Sequence, residues 1–295
     1  MPTPKERTYI LARLQIVTAM IAFGTIGVFV RGIPLSSAEI ALWRGIIAFL
    51  VLSIFMVMNG KLSGLAEHKK KLGKLLFSGT AMGFNWILLF EAYRYTSVAL
   101  STLSYYFAPT IVILGSSLLF HEKLDTKQIA CFIISTTGLV LIIGVVGGGS
   151  NDFIGVLYGL GAAVLYGLVI LTNKATGEID GLTRTWLQFA AAIIVLLPYC
   201  ALIGGFQIMS LQLSGFINLL VLGVVHTGIM YYFYFSALAH LKGQQVAILS
   251  YIDPIIAVIL SVAILNETIT GLQLFGGFLI LGATMINELK KPIFK

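Results

Sequence analysis

Taken as a string of apolar and polar positions, the sequence is a succession of long apolar runs separated by short polar connectors. A helix must supply roughly 20 apolar residues to cross a bilayer core of about 30 Å. The chain divides into ten such lengths, at 12–31, 37–58, 73–92, 98–119, 126–147, 153–173, 181–203, 214–237, 244–265 and 270–288. The runs are continuous rather than alternating with period two, which excludes a transmembrane β-barrel. The predicted fold is therefore an all-α membrane protein of ten transmembrane helices. The first run follows a polar, basic N-terminus and exceeds the roughly 7–15 residues of a signal-peptide core, so it reads as a retained helix.

Charge adds orientation. Lys and Arg cluster at 5–13, 61–74, 123–127, 174–184, 242 and 290–295, on the side that holds both termini, against only Arg31 and Arg94 on the other. Basic residues are retained on the cytoplasmic side. The pattern predicts an even number of spans in the cell membrane with both termini cytoplasmic. The formal net charge of +7 is thereby explained by topology, and no nucleic-acid partner is implied. Only 11% of residues are charged and 58% are hydrophobic, against about 25% charged in soluble domains, so there is too little polar surface for a soluble particle. Cys131 and Cys200 both fall inside apolar runs and read as buried thiols.

An internal repeat appears when the chain is slid against itself by 145 positions. Gly83, Tyr106, Pro109, Ser116, Glu122 and Gln128 then fall on Gly228, Tyr251, Pro254, Ser261, Glu267 and Gln273. Repeats of this kind mark transporter architectures. The halves are expected at 1–147 and 148–295. Each holds five helices, an odd number, so the second is expected to enter the membrane inverted, with Glu122 facing the cytoplasm and Glu267 the exterior.

The repeated element is Ser104-Tyr-Tyr-Phe-Ala-Pro109 with Phe120-His-Glu122 and Gln128, answered by Leu249-Ser-Tyr-Ile-Asp-Pro254 with Leu265-Asn-Glu267 and Gln273. This resembles the EamA-type branch of the drug/metabolite transporter (DMT) superfamily, and Arg44 matches a basic position in the first half of many members. The resemblance implies a ten-helix secondary carrier of two inverted five-helix repeats around a central cavity. It implies a small-molecule solute, with amino acids and related metabolites prominent among the compounds that members export. Two asymmetries stand out: Gln188 lies where a repeat of Arg44 would fall, and Asp253 precedes the second proline where Ala108 precedes the first.

The chain has no phosphate-binding Gly-rich lysine loop, no metal-ligand cluster and no Gly-x-Ser-x-Gly elbow. Neither an enzyme nor a resident metal or cofactor is expected, and transport must draw on a gradient, with a proton as candidate coupling ion. Ionisable groups at membrane depth are costly and each is a functional hypothesis; here they are Arg44, His226 and Asp253. Arg44 is expected roughly 10 Å from the outer face and Asp253 roughly 13–14 Å from the inner one. Two readings stand, a structural ion pair between them or a shared solute site. His226 suits a proton-linked step or is a hydrogen-bonded core histidine. Glu39, Glu91 and Arg94 read as solvated charges at helix ends.

Pro109 and Pro254 each remove a helical hydrogen bond and free the carbonyl four residues earlier, at Tyr105 and Ser250. Such helix breaks persist in a membrane only where another group or a water-filled cavity satisfies that carbonyl. Asn85, Trp86, Tyr105, Tyr106, Tyr231 and Tyr251 are candidate lining for an aromatic or cationic solute, or belong to lipid-facing packing. Gly79, Gly83, Gly155 and Gly159 are spaced for close helix approach. The leading function is export of amino acids or related compounds. Rivals are uptake of a nucleobase-like or quaternary-amine solute and, from another class, a membrane sensor or scaffold. The expected surroundings are membrane lipid, with the chain as a monomer or homodimer.

Overall fold

The computed structural model describes residues 4–62, 68–146, 151–238, 240–241 and 243–288. Its α-helices are α1 (Pro4–Arg31), α2 (Ser37–Met58), α3 (Leu72–Tyr95), α4 (Val98–Tyr105), α5 (Ala108–Phe120), α6 (Thr126–Val146), α7 (Asn151–Thr176), α8 (Gly181–Ile203), α9 (Leu213–Val221), α10 (Met230–Leu238), α11 (Gly243–Ser250), α12 (Ile252–Ala263) and α13 (Gly271–Glu288). No strand occurs among the described residues. Eight helical stretches are long and apolar enough to cross a membrane, counting α4–α5 and α9–α10 as one each, and Ile248–Ala263 and Gly271–Asn287 are shorter apolar helices.

The helix starts are written in side-chain chemistry. Ser36 Oγ accepts from the Glu39 amide at 3.2 Å and donates to the Glu39 carboxylate at 3.4 Å, an N-cap that makes the first half of a capping box and opens α2. Glu39 is 3% exposed and accepts the Gln207 amide at 2.6 Å. The expectation of a solvated end charge is corrected here, because bonds from the Gln207 amide and the Ser36 hydroxyl hold the carboxylate inside. Asp125 and Gln128 bond reciprocally at the start of α6, and Thr270 and Gln273 do the same at the start of α13. Upstream of these boxes stand His121 and Asn266, the non-glycine residues with positive φ among those described, at 55° and 53°. Both sets are 145 positions apart (266 − 121 and 270 − 125), so the repeated sequence element encodes one helix-end and helix-start device used twice.

The two proline-bearing segments are divided. The breaks fall at Tyr106–Phe107 and at Tyr251, ahead of Pro109 and Pro254, which sit in the first turns of α5 and α12. Expectation placed a helix break at each proline inside its membrane segment; the break falls two to three residues ahead of the proline and the chain restarts there, since proline is tolerated where a helix begins. Tight i→i+3 bonds, Phe107 to Ser104 and Tyr251 to Ile248, close the two breaks. Small residues bring neighbouring helices together. Gly79 and Gly83 face Gln188, Ala191 and Leu196 of α8, and Gly155 and Gly159 face Thr96, Ser101 and Ser104 at and in α4, as their spacing leads one to expect.

The two ends of the bundle carry different charges. At one, Lys174 pairs with Glu122, Lys61 with Asp180, and Lys71, Lys74 and Arg184 donate to the 175–178 carbonyls. At the other, Arg31 pairs with Glu267 and donates to the Thr96 carbonyl, and Thr96 donates to Asp152.

Candidate functional site

Arg44 is buried on α2, 3% exposed. Its Nε donates to Thr227 Oγ1 at 2.7 Å, and its guanidinium lies 4.8 Å over the Trp86 ring and 5.4 Å over Phe90. It takes part in no ion pair among the described residues. Asp253 stands in the first turn of α12, half-buried, and accepts the Tyr106 hydroxyl at 2.8 Å. It too is in no ion pair among the described residues. The pairing of Arg44 with Asp253, one of the two readings of the sequence, is thus not made.

Aromatic rings gather around each of the two side chains. Trp86 meets Phe189 edge-on at 5.1 Å, Phe189 meets Tyr231 at 5.6 Å, and Tyr231 meets Phe23 at 5.4 Å. On the Asp253 side Tyr106 contacts Tyr105 at 6.2 Å and Tyr251 at 6.4 Å, and Tyr105 reaches Tyr166 at 5.5 Å. Tyr93 and Tyr231 lie within electrostatic reach of both Arg44 and Asp253. Two side chains of opposite charge thus stand among aromatic rings without neutralising each other, an arrangement that a low-dielectric setting makes costly unless a third party completes it.

The helix break serves this geometry. Tyr106 points across from the end of α4 and its hydroxyl lies 3.4 Å from the Ser250 carbonyl, the group freed by Pro254, as well as against Asp253. The hydroxyl has one hydrogen, which at 2.8 Å goes to the carboxylate, so the break in one half fixes Asp253 beside the break in the other. Asn85 donates to the Ala162 carbonyl at 2.6 Å and ties α3 to α7 beside Tyr105. Gln188 donates to Ser78 and Asn173 and is fully buried in that polar knot.

His226 sits near Arg44 but bonds elsewhere. Its Nδ1 is 3.1 Å from the Val221 carbonyl and its Nε2 is 2.6 Å from Thr25 Oγ1, with the Phe29 ring tilted against it at 4.7 Å. A carbonyl only accepts, so Nδ1 carries the hydrogen, and in the neutral ring Nε2 accepts from the Thr25 hydroxyl. The same hydroxyl lies 2.7 Å from the Ala22 carbonyl, to which it turns if Nε2 takes a proton. His226 is thus hydrogen-bonded in either state. Above Arg44, on the Arg31 side, a cavity of about 640 Å³ is lined by Ile40, Phe90, Tyr93, Arg94 and Ser37 among others. Ile40 lies one turn from Arg44 on α2 and Phe90 lies under its guanidinium.

The model of the EamA-like transporter family matches the sequence twice, over residues 10–144 and 153–288. The chain belongs to the EamA-like transporter family. It is a transporter by family, embedded in a membrane, and a small-molecule solute is what such a site serves. Among similar proteins, an "Uncharacterized transporter YxxF" of Bacillus subtilis is 29% identical over 88% of this chain and 83% of its own length. An "Uncharacterized transporter" of Archaeoglobus fulgidus is 24% identical over 92% and 94%. A solved crystal structure covers 93% of this chain and 96% of its own at 18% identity with a TM-score of 0.61, a likeness of fold.

Within this EamA-like fold, the residues singled out by sequence converge for the most part: Arg44, Trp86 and Tyr231 in one group, Tyr105, Tyr106, Tyr251 and Asp253 in the other. Tyr93, Phe189, Tyr166 and Thr227 join them without having been singled out. Phe189 adjoins Gln188 and Thr227 adjoins His226, both flagged on other grounds. Nothing in a run of apolar and aromatic residues marks which rings face inward.

Proposed function

We propose that the protein is a secondary carrier that exports amino acids or related metabolites across the cell membrane. In this reading all ten apolar segments cross the bilayer, the halves 1–147 and 148–295 are inverted five-helix repeats, and both termini are cytoplasmic. One observation carries it: Arg44 and Asp253 are oppositely charged side chains that make no ion pair among the described residues, each set among aromatic rings, Trp86 and Phe90 for Arg44 and Tyr106 for Asp253. A zwitterion completes both, its carboxylate on Arg44 and its ammonium on Asp253. The rings of Trp86, Tyr106 and Tyr231 supply stacking and cation–π surface for the side chain and ammonium. Asp253 takes either an ammonium or a proton, which links solute exchange to a proton gradient, and His226 is a second proton-accepting group nearby.

The test is flux in proteoliposomes, with and without a pH gradient, using labelled phenylalanine, leucine, threonine and lysine. Asp253→Asn and Arg44→Gln are each expected to reach the membrane folded and to lose about tenfold or more of the flux, the scale of a lost charge-assisted hydrogen bond. Full flux with unchanged pH response in the Asn variant defeats the role of Asp253. Loss in Asp253→Asn alone, with Arg44→Gln indifferent, indicates a cationic solute such as a quaternary amine instead of a zwitterion.

A further inference from the structure

Between α9 and α10 the chain leaves the α-helical path: Leu222–Ile229 is π-helical. A π-turn holds about one residue more than an α-turn, and such turns are rare and concentrate at functional sites. Here the extra residue changes which positions share a face. Gly223 and Gly228, five apart, both rest on α2, against Ile47 and Val51, which are four apart. A Cβ at either glycine would stand 2.6 Å from the nearest atom of its partner, so the π-helical backbone lies directly on α2. Thr227, next to Gly228, is carried by this contact onto Arg44.

The hydroxyl of Thr227 has both of its roles assigned. It donates to the Leu222 carbonyl at 2.8 Å, five residues back as a π-turn allows, and its oxygen accepts from Arg44 Nε at 2.7 Å. A guanidinium offers a carboxylate two forked edges, a lateral one that uses Nε and an end-on one made of its two terminal nitrogens. Thr227 occupies the lateral edge, and the rings of Trp86 and Phe90 lie against the guanidinium. The terminal nitrogens have no hydrogen-bond partner among the described residues.

We infer that Thr227 is the positioning residue that turns the end-on edge of Arg44 toward the solute, and that this hydroxyl sets the preference for a planar carboxylate over the corresponding amide. The inference rests on the proposed role of Arg44 as the carboxylate-binding group. A carboxylate accepts both parallel N–H bonds of such a fork, whereas an amide turns one N–H donor against it, so the orientation of the fork governs the discrimination.

The experiment compares transport of phenylalanine and leucine with that of phenylalaninamide and leucinamide in proteoliposomes, for wild type, Thr227→Val, Thr227→Ser and Arg44→Gln. Thr227→Val keeps the shape and removes the hydroxyl. It is expected to cut the acid-over-amide preference by about tenfold or more, through KM with kcat largely held, and Thr227→Ser is expected to bring the preference back. If the valine variant does not fold, Thr227→Ala provides the same readout. A preference kept in Thr227→Val but lost in Arg44→Gln overturns the inference while leaving the Arg44 reading intact. A fall in kcat with the preference unchanged marks a packing role and overturns it as well. A preference kept in Arg44→Gln, or no transport of either amino acid by the wild type, overturns both.

Discussion

Asp180 shows how a single carboxylate at the edge of the bundle works. It caps α8 by accepting the Thr183 amide at 3.1 Å and pairs with Lys61 at 2.7 Å. Partial burial opposes its charge, but the bonds from Lys61 and Thr183 outweigh that and hold its pKa below the ordinary carboxylate value. A carboxylate with a depressed folded-state pKa contributes stability that is present above its unfolded pKa, about 3.9, and is lost as pH falls through the folded value. Asp180→Ala is accordingly expected to cost about 0.5–2 kcal/mol at neutral pH through the missing cap, with the gap to wild type closing below about pH 4. Thermal unfolding in detergent from pH 7 to 3 checks this, and a gap that widens toward acid contradicts it. At this same scale Arg44 and Asp253 were legible in the sequence because a charge inside an apolar run needs a reason. Thr227 and Phe189 were not, since a threonine and a phenylalanine are ordinary there and their importance comes from a neighbour 183 residues away or from a ring on another helix.

Among the elements, lengths and starts follow from local chemistry, while breaks and irregular turns do not. The ten apolar runs locate the helical stretches because each is bounded by polar connectors, and capping boxes such as Asp125/Gln128 and Thr270/Gln273 set where α6 and α13 begin. The π-helical stretch at Leu222–Ile229 left no trace in the pattern, for one additional residue in a turn does not disturb an unbroken apolar run. Its support is tertiary, the contact of Gly223 and Gly228 with α2. Gly228→Val is therefore expected to destabilise the protein by about 1–3 kcal/mol, the usual scale of overpacking, and to disrupt the Arg44–Thr227 bond in the same step. Gly271→Val, with nothing within 4 Å of its Cβ position, is the matched control and is expected to cost less than about half as much. Melting temperatures of the two variants in one detergent decide the matter, and equal losses count against the role given to the close contact.

For the whole molecule, the repeat-related carboxylates fasten opposite ends across the boundary between the halves. Glu122, at the end of α5, pairs with Lys174 of α7, and Glu267, beyond α12, pairs with Arg31 of α1. In sequence the two glutamates were matching letters at a 145-residue offset; their partners Arg31 and Lys174 lie in the other half, in the last turns of α1 and α7 and 143 apart (174 − 31), so an ungapped 145-residue slide does not align them and the cross-half pairing could not be read there. The two fastenings are unequal. Glu122 and Lys174 have side chains 51% and 44% exposed, where an ion pair contributes roughly 0–1 kcal/mol. The Glu267 side chain is 14% exposed, and besides Arg31 it accepts from the Val98 amide at 2.8 Å and from Ser261 Oγ. Several charge-assisted bonds converge on one sheltered carboxylate, and removing its charge leaves those donors incompletely satisfied. Glu267→Gln is thus expected to lower the melting temperature clearly more than Glu122→Gln. In a double-mutant cycle with Arg31→Gln and Lys174→Gln, the coupling at the Arg31 end is expected to be the larger and the less sensitive to salt, because a sheltered pair is screened less. Equal couplings, or a stronger one between Glu122 and Lys174, would show that the extra donors around Glu267 do not make its fastening the stronger of the two.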